Sequence, residues 1–98
     1  MPPTSSAATV FEALADAHRR AILTLLTGEE RSVGEIAGEL PISRPAVSRH
    51  LRLLKEAGLV AEHADGTRRI YRLHDEGLPV LRDYLEGVWG NAISRFRL

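Results

Sequence analysis

The sequence contains no cysteine. Without thiols the chain has no disulfide framework, no thiolate site for zinc or iron–sulfur clusters, and no cysteine nucleophile. Its apolar runs are only a few residues long, as at 21–23, far below the roughly 20 residues that cross a bilayer. The first residues show neither the basic nor the apolar segment of a signal peptide. We therefore expect a cytoplasmic protein.

The chain also lacks an excess of charge, with 13 Lys+Arg and 13 Asp+Glu among its 98 residues. This balance excludes a uniformly basic coat or an acidic tail. The charge is nevertheless uneven, because residues 43–72 carry a net charge of +4 and residues 1–42 a net charge of −3. The length fits one domain whose small core favours association with a second copy.

Apolar residues recur at helical spacing of three and four along most of the chain. Two helices are predicted before Gly28, separated at Asp16. Ser32 followed by Glu35 is a capping-box pattern for a short helix that ends before Pro41. After His74 a long apolar helix of some twenty residues is predicted from the following positions: Leu78, Leu81, Leu85, Val88, Trp89, Ile93 and Phe96.

Between these helices lies a second capped helix and then a hairpin. Ser43 is a candidate N-cap, Pro45 suits a first turn, and Gly58 signals the helix end. Residues 59–73 form two strand-like segments on either side of an Asp65-Gly66 turn, a pattern that predicts a two-stranded hairpin. A tight helix-turn-helix followed by a β-ribbon is the layout of a winged helix-turn-helix, mainly α with a two-stranded β wing.

The second helix of this unit, about 43–57, carries basic residues on the side away from its apolar stripe. Arg44 and Arg49 lie near the helix start, where arginine can hydrogen-bond guanine edges in the major groove. Arg52 and Lys55 are suited to phosphates. Arg68 and Arg69 follow the hairpin tip, so that one can enter the minor groove while the other pairs with a phosphate or with Glu62.

The stretch ISRPAVSRHLRLLKEAGLV, with FEALADAHRRAILTLL before it and GTRRIYRL after it, resembles the ArsR/SmtB family of bacterial winged-helix repressors. The resemblance implies a homodimer whose recognition helices enter successive major grooves of an inverted-repeat operator, with half-sites roughly ten base pairs apart. The wing, about 59–73, would lie on the flanking minor groove or backbone. Together with the basic pattern of the helix, this predicts the following DNA-binding residues: Ser43, Arg44, Ser48, Arg49, His50, Arg52, Lys55, Arg68 and Arg69.

The C-terminal segment resembles, more loosely, the last helix of family members without metal sites, which pairs with the first helix across the dimer. We expect residues 1–8 to be a disordered tail and residues 9–98 to form one DNA-binding and dimerisation domain. The predicted dimer interface comprises Val10, Phe11, Leu14, Leu81, Leu85, Val88 and Trp89. The alternative for these residues is that half of them complete the core of the single chain.

Metal sites of the family do not transfer to this sequence. Ser32 and Gly34 stand nearest to the Cys-x-Cys pair of metal-sensing members, and Asp83 and Glu86 have no histidine near them. His18, His50, His63 and His74 are far apart in the chain, so a metal site made of them would need a dimer interface. We expect structural or DNA-contacting histidines, with no metal and no cofactor.

The sequence bears on three classes of function. A DNA-binding repressor accounts for the basic helix and the basic hairpin together. A winged-helix module that binds another protein instead of DNA is the alternative. An enzyme is disfavoured, because the sequence has no Gly-rich phosphate loop and no H-E-x-x-H or G-x-S-x-G pattern. The effector is left open between a small hydrophobic ligand, a protein antagonist and none.

Overall fold

The computed structural model describes residues 6–90 and residue 95. Five helices and three strands follow one another in this part of the chain. They are α1 (Ala7–Leu14), α2 (Ala17–Leu25), β1 (Arg31–Ser32), α3 (Val33–Glu39), α4 (Arg44–Glu56), β2 (Val60–Asp65), β3 (Arg68–Leu73) and α5 (Leu78–Trp89). No helix in residues 6–90 is long and apolar enough to cross a membrane.

The starts of α3 and α4 are set by Ser32 and Ser43, the capping residues that the sequence predicts, and the start of α2 is set by Asp16. The side chain of Asp16 accepts hydrogen bonds from the backbone N–H groups of His18 and Arg19. Ser32 and Glu35 form the reciprocal capping box that starts α3. α1 is the exception to the predicted boundary, since Ser6 caps it and Ala7 already lies in the helix. Of the predicted tail, residues 1–5 lie outside the described part.

The wing is a three-stranded antiparallel sheet in the order β1-β3-β2. The predicted hairpin of β2 and β3 is present, with Asp65 opposite Arg68 and Glu62 opposite Tyr71. The prediction of two strands misses β1, in which Ser32 pairs with Ile70 on the other edge of β3. A two-residue strand leaves almost no alternation to detect in a sequence, yet it joins the wing to the start of α3.

The core lies where α1, α2, α3, α4 and the base of the wing meet. Its fully buried side chains come from every one of these elements. The largest are Ile22, Ile36, Leu51, Leu54, Val10, Val47 and Val60. α4 packs one side against this core, which fixes the direction of the helix axis, while its other side faces solvent.

α5 ends at Trp89, because Gly90 follows with φ 62°, a left-handed conformation that stops the helix. The predicted helix is therefore confirmed over Leu78–Trp89, whereas its predicted unbroken length of some twenty residues is wrong, because Gly90 interrupts it after 12 residues. Ile93 and Phe96 lie outside the described residues. At the other end, Gly77 approaches α4 so closely that a Cβ there would collide with the carbonyl oxygen of Ala57.

Candidate nucleic-acid interface

The recognition unit is built from α3, a short turn and α4. α3 ends at Glu39, with Leu40 as its C-cap, and Ser43 starts α4 by accepting a hydrogen bond from the backbone N–H of Ala46 at 3.2 Å. Pro45 lies in the first turn, where its missing N–H costs nothing. These local signals fix the point at which α4 begins and therefore which of its residues face outward.

The two sides of α4 differ as the sequence predicts. Val47, Leu51 and Leu54 have no exposed surface. Ser48, Arg49 and Arg52 are exposed. Ser48 and Arg49 are one turn from Arg52, so that a hydroxyl and two guanidinium groups occupy one side of the helix. An α-helix fits the major groove, and these groups can hydrogen-bond base edges and phosphates there.

Arg44 and Lys55 lie at opposite ends of α4 in different surroundings. Arg44 is exposed and lies beside α3, where a Cβ on Gly34 would be 3.7 Å from its Nη1. Lys55 donates to Glu62 of the wing, with 2.7 Å between Nζ and Oε1. Lys55 is thus already paired within the chain, which weakens its predicted role as a phosphate contact.

Glu62 also joins Lys55 to the buried part of the wing. Hydrogen bonds from the Lys55 and Tyr71 side chains lower the pKa of the Glu62 carboxyl. Desolvation, followed by the hydrogen bond to Glu62, raises the pKa of Tyr71 to about 12. Glu62 therefore stays ionised and Tyr71 protonated near neutral pH, and the three side chains fix the wing against the end of α4.

The wing arginines are separated by their contacts. Arg68 donates to Glu35 of α3, with 2.9 Å between Nη2 and Oε1, whereas Arg69 is exposed. Hydrogen bonds from the backbone and side chain of Ser32 lower the pKa of Glu35 first, and the Arg68 charge adds to this. The sequence predicts that one wing arginine pairs with a phosphate or with Glu62. In the structure Glu62 is paired with Lys55, and Arg68 pairs with Glu35 instead.

His50 faces α2 instead of sharing the outward side of α4. Its Nδ1 lies 3.3 Å from Nη1 of Arg19, and its ring centroid is 5.9 Å from that of His18. Desolvation lowers the pKa of His50, although the charge of Asp16 opposes the shift. The expectation that histidines meet only across a dimer interface is wrong, because Asp16, His18 and His50 come together within one chain.

Apolar side chains of α1 and α5 form an exposed face, which we call the terminal-helix face. Phe11 and Tyr84 contact each other edge to face with ring centroids 5.1 Å apart. The large exposed side chains of this face are Phe11, Leu78, Tyr84, Val88 and Trp89. Val88 and Trp89 retain 57% and 58% of their surface, and a contiguous exposed apolar patch of this kind is typical of an interaction site.

This face changes the predicted dimer residues. Val10 is 0% exposed within the chain, so its assignment to the interface is wrong and it belongs to the core. Leu14, Leu81 and Leu85 are partly buried. Tyr84 was not predicted, although its spacing of four from Val88 places both on one side of α5.

Comparison with known proteins places this geometry in a family. A helix-turn-helix domain family matches residues 14–63. HTH-type transcriptional regulator Rv2034 of Mycobacterium tuberculosis is 48% identical over 86 residues, which span 88% of this chain and 80% of that protein. Transcriptional repressor SdpR of Bacillus subtilis is 42% identical over 65 residues, or 66% of this chain and 72% of that protein.

A solved structure with a similar fold belongs to the same kind of protein as these two relatives. The homodimeric winged helix-turn-helix DNA-binding domain Mb0332 of Mycobacterium bovis, described as a possible ArsR-family regulator, superposes with a TM-score of 0.66 at 34% identity. The match covers 90% of this chain and 82% of that one. The chain belongs to the ArsR/SmtB family of transcriptional regulators. The winged helix-turn-helix fold is thereby confirmed, and so is the prediction that this ArsR/SmtB member is a regulator and not an enzyme.

Proposed function

We propose that this ArsR/SmtB regulator binds an inverted-repeat DNA operator as a homodimer and represses transcription. The observation that carries the proposal is the outward side of α4, where Ser48, Arg49 and Arg52 are exposed on a helix whose other side is fully buried. A rigid helix with short polar and bidentate side chains at its exposed positions is the arrangement that reads base edges in the major groove.

Within this proposal the basic residues have different roles. Arg49 reads a base, since it lies nearer the helix start, where recognition helices contact base edges. Arg52 binds a phosphate one turn later, and Ser43 and Arg44 contact the backbone or a base beside the α3–α4 turn. Arg69 at the wing approaches the minor groove or the flanking phosphates. Lys55 and Arg68 contribute less, because both are engaged by carboxylates of the same chain.

The dimer forms through the terminal-helix face. An isologous contact duplicates the α4 surface around a two-fold axis, which matches an inverted repeat in DNA. The exposed Phe11, Val88 and Trp89 supply the apolar surface for this contact. The homodimeric state of Mb0332, a structural relative, supports the same assembly for this chain.

The repressor role follows from the location of the DNA contacts and from the names of relatives. A dimer bound to an operator that overlaps a promoter regulates most simply by covering promoter DNA. SdpR, which shares 42% identity over 65 residues, is named a transcriptional repressor. A reporter placed behind the selected operator tests the direction of regulation, and expression that rises with the protein would contradict repression.

Selection of random DNA duplexes at two salt concentrations tests DNA binding, with the protein's mass in solution measured alongside. We expect enrichment of one inverted repeat by a particle of about twice 10.8 kDa. Binding should weaken steeply as salt rises, because phosphate contacts release counterions. Salt-sensitive binding without an enriched sequence would contradict operator recognition, and absence of binding at both salts would favour the protein-interaction module.

A further inference from the structure

Three metal-ligating side chains meet where α2 packs against α4. Asp16 is the N-cap of α2, His18 is in its first turn, and His50 is in the middle of α4. Each offers a ligand atom, and the three atoms lie within 4.8 Å of one another. The imidazole rings of the two histidines are tilted by 51° with centroids 5.9 Å apart.

We propose that Asp16, His18 and His50 bind one divalent transition-metal ion of the Zn²⁺ class. In tetrahedral Zn²⁺ sites the bonds to imidazole nitrogen and carboxylate oxygen place neighbouring ligand atoms about 3.4 Å apart. The present ligand atoms lie within 4.8 Å of one another, so they approach by at most about 1.4 Å to reach that separation. Two imidazoles and one carboxylate leave the fourth position for water, and they suit Zn²⁺ rather than Ca²⁺, which takes six to eight oxygens.

The site differs from the metal-site positions considered in the sequence. Those positions are Ser32, the N-cap of α3, with Gly34 in α3, and Asp83 with Glu86 in α5. The proposed site joins α2 to α4, and its three residues are all described parts of one chain. It therefore needs no second subunit to supply a ligand.

Asp16 is held ready by the helix that it caps. Its Oδ1 accepts from the backbone N–H of His18 at 2.8 Å and from that of Arg19 at 3.1 Å. Both of these bonds use the same oxygen, which leaves Oδ2 to reach an ion. The carboxylate orientation is thus set before the metal binds, which reduces the entropy that binding must overcome.

Arg19 competes with the ion for His50. Its Nε and Nη2 donate to the carbonyl oxygens of Ala13 and Glu12 at the end of α1, and its Nη1 lies 3.3 Å from Nδ1 of His50. Ligation through Nδ1 replaces Nη1 directly. Ligation through Nε2 moves the ring proton to Nδ1, where it meets the Arg19 donor. Either mode breaks the Arg19–His50 contact and leaves the two carbonyl bonds intact.

Metal titration of the full, tag-free chain tests the proposal. Calorimetry with Zn²⁺ should give one ion per chain, and Co²⁺ should develop the visible absorption of a four-coordinate site. Asp16→Asn keeps a helix-capping acceptor and should lower Zn²⁺ affinity by more than about tenfold. His18→Ala, at the exposed edge of the cluster, should do the same. Circular dichroism without metal should match the unmodified chain for both variants.

His63→Ala and His74→Ala are the matched controls, since these histidines lie on the wing and beyond it. Both should bind Zn²⁺ with unchanged affinity and stoichiometry. The proposal is overturned if the unmodified chain binds no Zn²⁺, if His18→Ala and Asp16→Asn bind it as before, or if a control histidine is required. Mg²⁺ should not compete, and competition by Mg²⁺ would also contradict the ligand set.

Discussion

Replacement of Arg52 by glutamine should flatten the salt dependence of operator binding. Arg52 is exposed on α4 and forms no ion pair within the described part of the chain, so its charge is available to a phosphate. Lys55, in the next turn, is paired with Glu62 at 2.7 Å. The two residues look alike in the sequence, yet the structure predicts different electrostatic contributions.

The size of the effect follows from counterion release. Each phosphate contact contributes about −0.9 to the slope of log K against log salt. A homodimer carries two copies of Arg52, so Arg52→Gln should reduce the slope by about 1.8. Between about 50 and 200 mM salt this corresponds to roughly a twelvefold smaller loss of affinity. Lys55→Gln should change the slope by less than Arg52→Gln does.

Fluorescence anisotropy with a labelled operator, measured over that range of salt, gives the slope directly. Arg82→Gln serves as the control, because Arg82 lies on α5 and pairs with Glu86 at 3.0 Å. Its slope should equal that of the unmodified protein. The reasoning is refuted if Arg52→Gln leaves the slope unchanged, or if Lys55→Gln reduces it as much as Arg52→Gln.

Further predictions concern stability and assembly. Leu51→Ala should lower the free energy of unfolding by about 2–5 kcal/mol in urea denaturation, whereas Leu53→Ala, at a position 38% exposed on the same helix, should cost much less; equal losses would contradict the assigned core. Trp89→Lys should reduce the mass in solution from a dimer to a single chain of 10.8 kDa without loss of helix, and a persistent dimer would exclude the terminal-helix face. Because the pKa of Tyr71 is raised to about 12, its protonated hydroxyl stabilises the fold fully below pH 10, and this contribution is lost as the pH rises toward about 12. Tyr71→Phe should therefore show a shallower fall in the free energy of unfolding over that range. Identical pH profiles for the two proteins would refute the assignment.

Local signals in the sequence account for most of the fold. The caps at Asp16, Ser32 and Ser43 each depend on residues within a few positions, and the structure forms all three. The apolar stripe of α4 likewise predicts the buried Leu51 and therefore the exposed side that carries Arg49. Capping and amphipathic spacing are properties of short segments, so they can be inferred without knowing the tertiary structure.

The parts that the sequence did not predict depend on contacts between distant segments. Arg68 pairs with Glu35, 33 residues away, and no spacing rule connects them. His50 meets Arg19 across 31 residues, which turns it from the outward side of α4 toward α2. Val10 has the same apolar character as its exposed neighbour Phe11, and only tertiary packing decides which of them is buried.

The central claim is that the outward side of α4 reads DNA sequence. The most direct test repeats the duplex selection with Arg49→Ala and compares the enriched operators. The account predicts that the inverted repeat and its spacing are retained while base preference is lost at one position in each half-site. An operator motif unchanged at every position would contradict the assignment of Arg49 and of the α4 surface to base recognition.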